Sequence, residues 1–188
     1  MEQTRHGSGT LAPTLLFAMP QLTDPNFSRS VVLLCRAGDD GAMGLVVNHP
    51  TQTRIADIVD FDPPLVADNR ARTWIGGPVE PYRGWILLGA EGSLADAFEV
   101  APGLHLSGAL TVLRRIVEED APGPSRFLLG YAGWGQGQLE AELAASAWLT
   151  TPPSASLIFD TPPESMWEEG IRSLGIDPFA LQTGGGVH

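Results

Sequence analysis

Two neighbouring apolar runs constrain this chain more than any other feature. Residues 30–36 (Ser-Val-Val-Leu-Leu-Cys-Arg) and 42–48 (Ala-Met-Gly-Leu-Val-Val-Asn) are rich in Val and Leu, and Ala37-Gly38-Asp39-Asp40-Gly41 separates them. Branched side chains favour strands, and a short Gly/Asp segment between two such runs is hairpin chemistry. Both runs are apolar at consecutive rather than alternate positions, so both faces of the hairpin need cover. The fold must therefore place this hairpin centrally in a sheet with packed material on each side.

Around it, residues 14–19, 74–75, 84–89, 98–100, 125–131 and 157–159 read as further strands. Leu110, Leu113, Ile116 and Val117 recur at helical spacing, which predicts a helix over 109–119. Helices are also expected at 136–147 and 164–174, the last stopped by Gly175, with a short one at 53–59. Strands and helices mix without strict alternation and no linker separates two cores. The expectation is an α+β single domain over 11–188 with a bent, largely antiparallel sheet, and a polar, glycine-bearing flexible tail over 1–10.

The hairpin also predicts where polar groups meet. If Arg36 faces Ala42, then Cys35 faces Met43, Ser30 faces Asn48 and Arg29 faces His49. Asp24, Asn26, Arg29 and Ser30 then converge with Asn48 and His49 at the end remote from the turn. This corner is the candidate binding region, or alternatively the seat of a hydrolytic reaction using Asp24 or His49. The same register separates Cys35 from His49 by about six strand residues, roughly 20 Å at ~3.4 Å each, so they do not form a nucleophile–base pair. Cys35 reads as a small buried hydrophobe.

A second polar region is glycine-rich: Gly76-Gly77-Pro78, then 130–140 (Gly-Tyr-Ala-Gly-Trp-Gly-Gln-Gly-Gln-Leu-Glu), running from a strand into a helix. Gly76, Gly77 and Gly133 are candidates to complete a cradle with backbone N–H groups. Neither the dinucleotide fingerprint nor the P-loop spacing is present. There is no Gly-x-Ser-x-Gly, His-Glu-x-x-His or Cys-x-x-Cys. Only His49 and His105 lie away from the chain ends, so no metal site and no cofactor are expected.

Eleven basic residues, all Arg, stand against 22 acidic ones, a net charge of −11. That field repels phosphate backbones and anionic lipid, so no nucleic-acid or membrane partner is expected. Without Lys, Schiff-base chemistry is impossible. A single Cys, no ~20-residue apolar span and too short an N-terminal apolar run for a signal peptide point to a cytoplasmic address.

With these residues in view the chain resembles the AlgH/YqgE family of bacterial proteins. The resemblance rests on Leu16-Phe17-Ala18-Met19-Pro20-Gln21-Leu22, Asp24-Pro25-Asn26-Phe27-Ser28-Arg29-Ser30, Gly76-Gly77-Pro78-Val79, Arg83-Gly84-Trp85 and Gly130-Tyr131-Ala132-Gly133-Trp134, among other segments in the family's order. It implies an α+β domain with a curved, barrel-like sheet and flanking helices. Many members carry Glu-His where this chain has Arg36-Ala37, and His where it has Leu88. The family has no established reaction, although members are often labelled transcriptional regulators; this acidic chain lacks a helix-turn-helix with a basic recognition face. The resulting expectation is a non-enzymatic ligand-binding or regulatory protein, with a small anionic ligand or a protein as partner.

Overall fold

The computed structural model describes residues 10–66, 69–118 and 120–183; most of the expected tail lies outside them. The central hairpin is β2 (Val31–Gly38) and β3 (Gly41–Val46), following β1 (Thr14–Ala18). After it come β4 (Pro50–Arg54), β5 (Arg72–Ile75), β6 (Val79–Gly89), β7 (Phe98–Ala101) and β8 (Leu104–Ser107). Helix α1 (Leu110–Val117), β9 (Ser125–Trp134), α2 (Gln138–Ala144) and β10 (Trp148–Thr151) precede α3 (Ala155–Asp160), α4 (Pro163–Ser173) and α5 (Pro178–Thr183).

The strands form one curled half-barrel sheet in the order β10-β1-β2-β3-β9-β6-β8-β7, with β4 and β5 off this path. Among the described residues only β5 against β9 is parallel. This is the expected α+β domain with a curved, largely antiparallel sheet and flanking helices.

Consecutive apolar positions do serve two faces. Val31 and Leu33 join Phe17, Leu45, Val47 and the α4 residue Trp167 in one core, while Val32 and Leu34 join Leu16, Val46, Trp134 and Leu139 in another. All four of these β2 residues are fully buried. A third cluster packs α1, through Val112 and Leu113, on Ile86 and Leu88 of β6.

The hairpin turn is tighter than expected. Gly38 pairs with Gly41 around Asp39-Asp40, and Arg36 pairs with Met43 rather than Ala42. Gly41 lies at φ +124°, and a Cβ there would come within 2.3 Å of the Trp134 carbonyl oxygen, so only glycine fits. The register shifts between Leu34 and Arg36, leaving Cys35 as the extra residue of a β-bulge. Past the bulge Val32 faces Val46, which is the register expected for the far end. Bulge and short turn offset each other.

Two segments differ in type. Residues 157–159 lie in α3, because the Ser154 hydroxyl accepts the Leu157 N–H and starts a helix. Residues 53–59 hold the end of β4 and a 3-10 turn, Ile55–Asp57, in place of a helix. Short apolar runs do not separate these alternatives by pattern alone.

Candidate functional site

The far end of the hairpin brings the predicted corner together, largely as a bracket. The Asn48 side chain, in a buried residue, accepts the Val31 N–H at 2.9 Å and donates to the Arg29 carbonyl at 3.0 Å. Asp24 accepts the Asn26 backbone N–H at 2.9 Å and caps a 3-10 turn, Pro25–Phe27. Fully buried Ser30 lies 3.3 Å from His49 Nε2. The Arg29 guanidinium turns outward, donating to Glu168 at 2.5 Å and stacking 5.0 Å from the Trp167 ring. That hydrogen bond, with the charges of Arg29 and Arg172, holds the Glu168 carboxyl below its ordinary value. Among the described residues no hydrogen bond or ion pair joins Asp24 to His49, the two groups the hydrolytic alternative needs.

The glycines divide. Gly76 donates to the Leu129 carbonyl and accepts from Val46, and a Cβ on Gly77 would come within 2.1 Å of the Tyr131 backbone. These two let the β5–β6 connection lie flat on β9. Gly133 instead pairs with Met43. That position is five residues along from Asn48, ~17 Å at strand rise, so it belongs to a different place from the corner. Before α2 the Gly135 N–H is already taken by the Gln138 side chain at 3.0 Å.

Gly133 opens onto a cavity of about 580 Å³. Cys35, Arg36 and Met43 of the hairpin line it together with Val79, Arg83 and Trp85 of β6. Tyr131 and Trp134 of β9 also line it, as do Phe98 of β7 and Leu106 of β8. None of Asp24, Asn26, Arg29, Ser30 or Asn48 lines it. Size and an apolar wall with few polar groups match small-molecule sites in general. A larger hollow of about 860 Å³ beside the hairpin tip is bordered by Asp39, Gln136 and Glu140 and has no aromatic wall.

Two of the lining residues, Cys35 and Arg36, sit at the β2 bulge. In a regular strand Cys35 and Arg36 would point to opposite faces. The extra residue puts Arg36 opposite Met43, on the cavity side, and returns Ala37 to the other core. A second register shift, between Val79 and Gly84 of β6, accompanies Arg83, which also faces the cavity. Arg83 lies 4.4 Å over the Trp85 ring, and Trp85 meets Tyr131 edge-on at 6.4 Å. The Trp85 indole N–H is shielded from solvent and has no acceptor among the described residues.

The chemistry offered is recognition. Cys35 is half-buried, its thiol donates to the Leu33 carbonyl, and burial pushes it up to about 12, so it is not a thiolate near neutrality. Among the described residues, Arg36 and Arg83 are the only charged side chains lining the cavity. Sequence reasoning named Gly133 as a site residue but not its neighbours Arg83, Trp85 and Tyr131, nor Arg36, whose bulge leaves no pattern in composition or spacing.

Solved structures place this architecture in a known class. A Corynebacterium diphtheriae protein shares the fold at a TM-score of 0.69 and 21% identity, over 96% of this chain and 92% of the other. The AlgH protein from Pseudomonas aeruginosa matches at a TM-score of 0.76 with 35% identity, covering 100% of both chains. Residues 15–179 match the family model described as AlgH-like. A protein of Myxococcus xanthus named UPF0301 protein is 41% identical over 180 residues, 95% of this chain and 98% of its own length. Another of that name, from Anaeromyxobacter dehalogenans, is 40% identical over 185 residues, 94% of each chain. The chain belongs to the AlgH-like family.

Proposed function

We propose that this protein is a non-enzymatic binding protein of regulatory type, whose small-molecule ligand enters the cavity between the bulged hairpin and β6. One observation carries the reading: two consecutive residues, Cys35 and Arg36, line the same cavity at the bulge that breaks the alternation of β2. Bulges gather beside functional sites, where they re-aim a side chain. Among the described residues lining the cavity there is no carboxylate or imidazole for general acid–base work, and the Cys35 thiol is protonated, which favours binding over catalysis. Arg29, Asp24, Asn26, Ser30 and Asn48 support the site from a distance by fixing the hairpin's open end, and Gly76 and Gly77 by seating β6 on β9. A net charge of −11 favours a small molecule or protein over nucleic acid or membrane.

The test uses Gly133. A Cβ there would sit 3.5 Å from Tyr131 and Val79, ordinary contact, so a larger side chain can occupy the cavity without displacing backbone. Nile red, an apolar neutral fluorophore, should bind the parent, and Gly133→Leu should weaken that binding at least tenfold while leaving the melting temperature within a few degrees. Equal binding by both proteins would remove the cavity from consideration.

A further inference from the structure

The cavity's charge pattern narrows the ligand class. Acidic residues outnumber basic ones two to one in this chain, 22 against 11, yet both charged side chains at the cavity are Arg. They come from different strands, each at a break in strand register: Arg36 beside the β2 bulge and Arg83 within the irregular stretch of β6. In that stretch Glu80 sits at φ +45°, a conformation non-glycine residues seldom adopt. Neither Arg is committed. Arg36 reaches Asp40 at 3.1 Å and Arg83 reaches Glu80 at 3.3 Å, and in both pairs each side chain is more than half exposed. Such exposed single-contact pairs contribute little and exchange readily for a better partner.

An unpartnered donor stands beside them. Among the described residues the Trp85 N–H has no acceptor, and Arg83 lies across that indole's ring. Resting on the binding reading above, we infer that the ligand is an amphipathic carboxylate. Its anionic head takes Arg83 and Arg36 from their outer acids, and its apolar body lies against Met43, Val79, Leu106 and Tyr131. A guanidinium–carboxylate pair is directional and stronger than a neutral hydrogen bond. As Arg83 turns in to the head group it uncovers Trp85, whose N–H gains an acceptor oxygen.

Thermal-shift titration with hydrocinnamate, indole-3-acetate and octanoate, each beside its primary amide, tests this. The carboxylates should bind the parent at least tenfold more tightly than their amides, with the preference fading as salt rises. Arg83→Gln and Arg36→Gln should each shrink that preference several-fold, by weakening carboxylates more than amides, and Trp85→Phe should weaken carboxylates more than amides. Amides binding as well as acids, or a preference that survives both Arg substitutions, would overturn the amphipathic-anion assignment and leave the cavity reading standing. If no carboxylate binds while Nile red still distinguishes parent from Gly133→Leu, the assignment also falls alone. If Nile red fails to distinguish them, the cavity reading falls first.

Discussion

Asn48 is the residue on which the hairpin's open end depends. Its carboxamide supplies an acceptor to Val31 and a donor to Arg29, both on backbone, from a buried position. Asn48→Ala leaves both backbone groups short of a partner and should cost about 2 kcal/mol in urea unfolding, whereas Arg29→Ala, which breaks a half-exposed ion pair, should cost under about 1 kcal/mol. Equal losses would mean the corner is held by charge instead. His49 supplies a pH signature at the same place. Burial lowers its imidazole below the ordinary 6.5, so the unfolded chain takes up that proton first as pH falls. The stability it contributes is full above pH 6.5 and is lost as pH drops toward the folded value. Replacing His49 with Gln should flatten the pH dependence of the unfolding midpoint just below 6.5; an unchanged slope would assign that dependence elsewhere.

Among elements, the hairpin was the most legible, because consecutive apolar residues on both sides of a Gly/Asp turn leave one arrangement open. Its far-end register was readable; its near end was not, since a bulge at Cys35 and a two-residue turn shift the pairing in compensating directions. Strands β8 and β10 escaped notice, each four residues long, and β8 carries His105 in its middle. Helix α3 reads as a strand from Leu157, Ile158 and Phe159 alone; Ser154 is the signal that could have corrected it. The seating of α4 on β1 was also invisible, although it turns on one residue. A Cβ on Gly170 would lie 1.9 Å from the ring of fully buried Phe17. Gly170→Ala should therefore destabilise the protein by about 1–3 kcal/mol despite improving helix propensity, while Glu169→Ala on the exposed side should stay within about 0.5 kcal/mol. A stabilising Gly170→Ala would show that α4 sits farther from the sheet.

For the whole molecule, curvature creates what no single segment contains. The cavity draws on the bulged hairpin, β6, the β7–β8 ribbon and the end of β9, brought together only once the half-barrel closes around them. Sequence inspection located polar chemistry where strand ends meet, which is where turns and caps also need it, and so found the bracket before the cavity. Among the described residues no helix is long and apolar enough to cross a membrane. The two Arg lining the cavity stand out against an acidic molecule, and that contrast belongs to the assembled surface. Amide and indole NMR chemical-shift mapping of the parent during titration with hydrocinnamate addresses the account most directly. The largest shifts should fall on Arg36, Met43, Tyr131, Gly133 and the Trp85 indole N–H, with Arg29, Ser30 and Asn48 unmoved; shifts gathered on Arg29, Ser30 and Asn48 instead would contradict it.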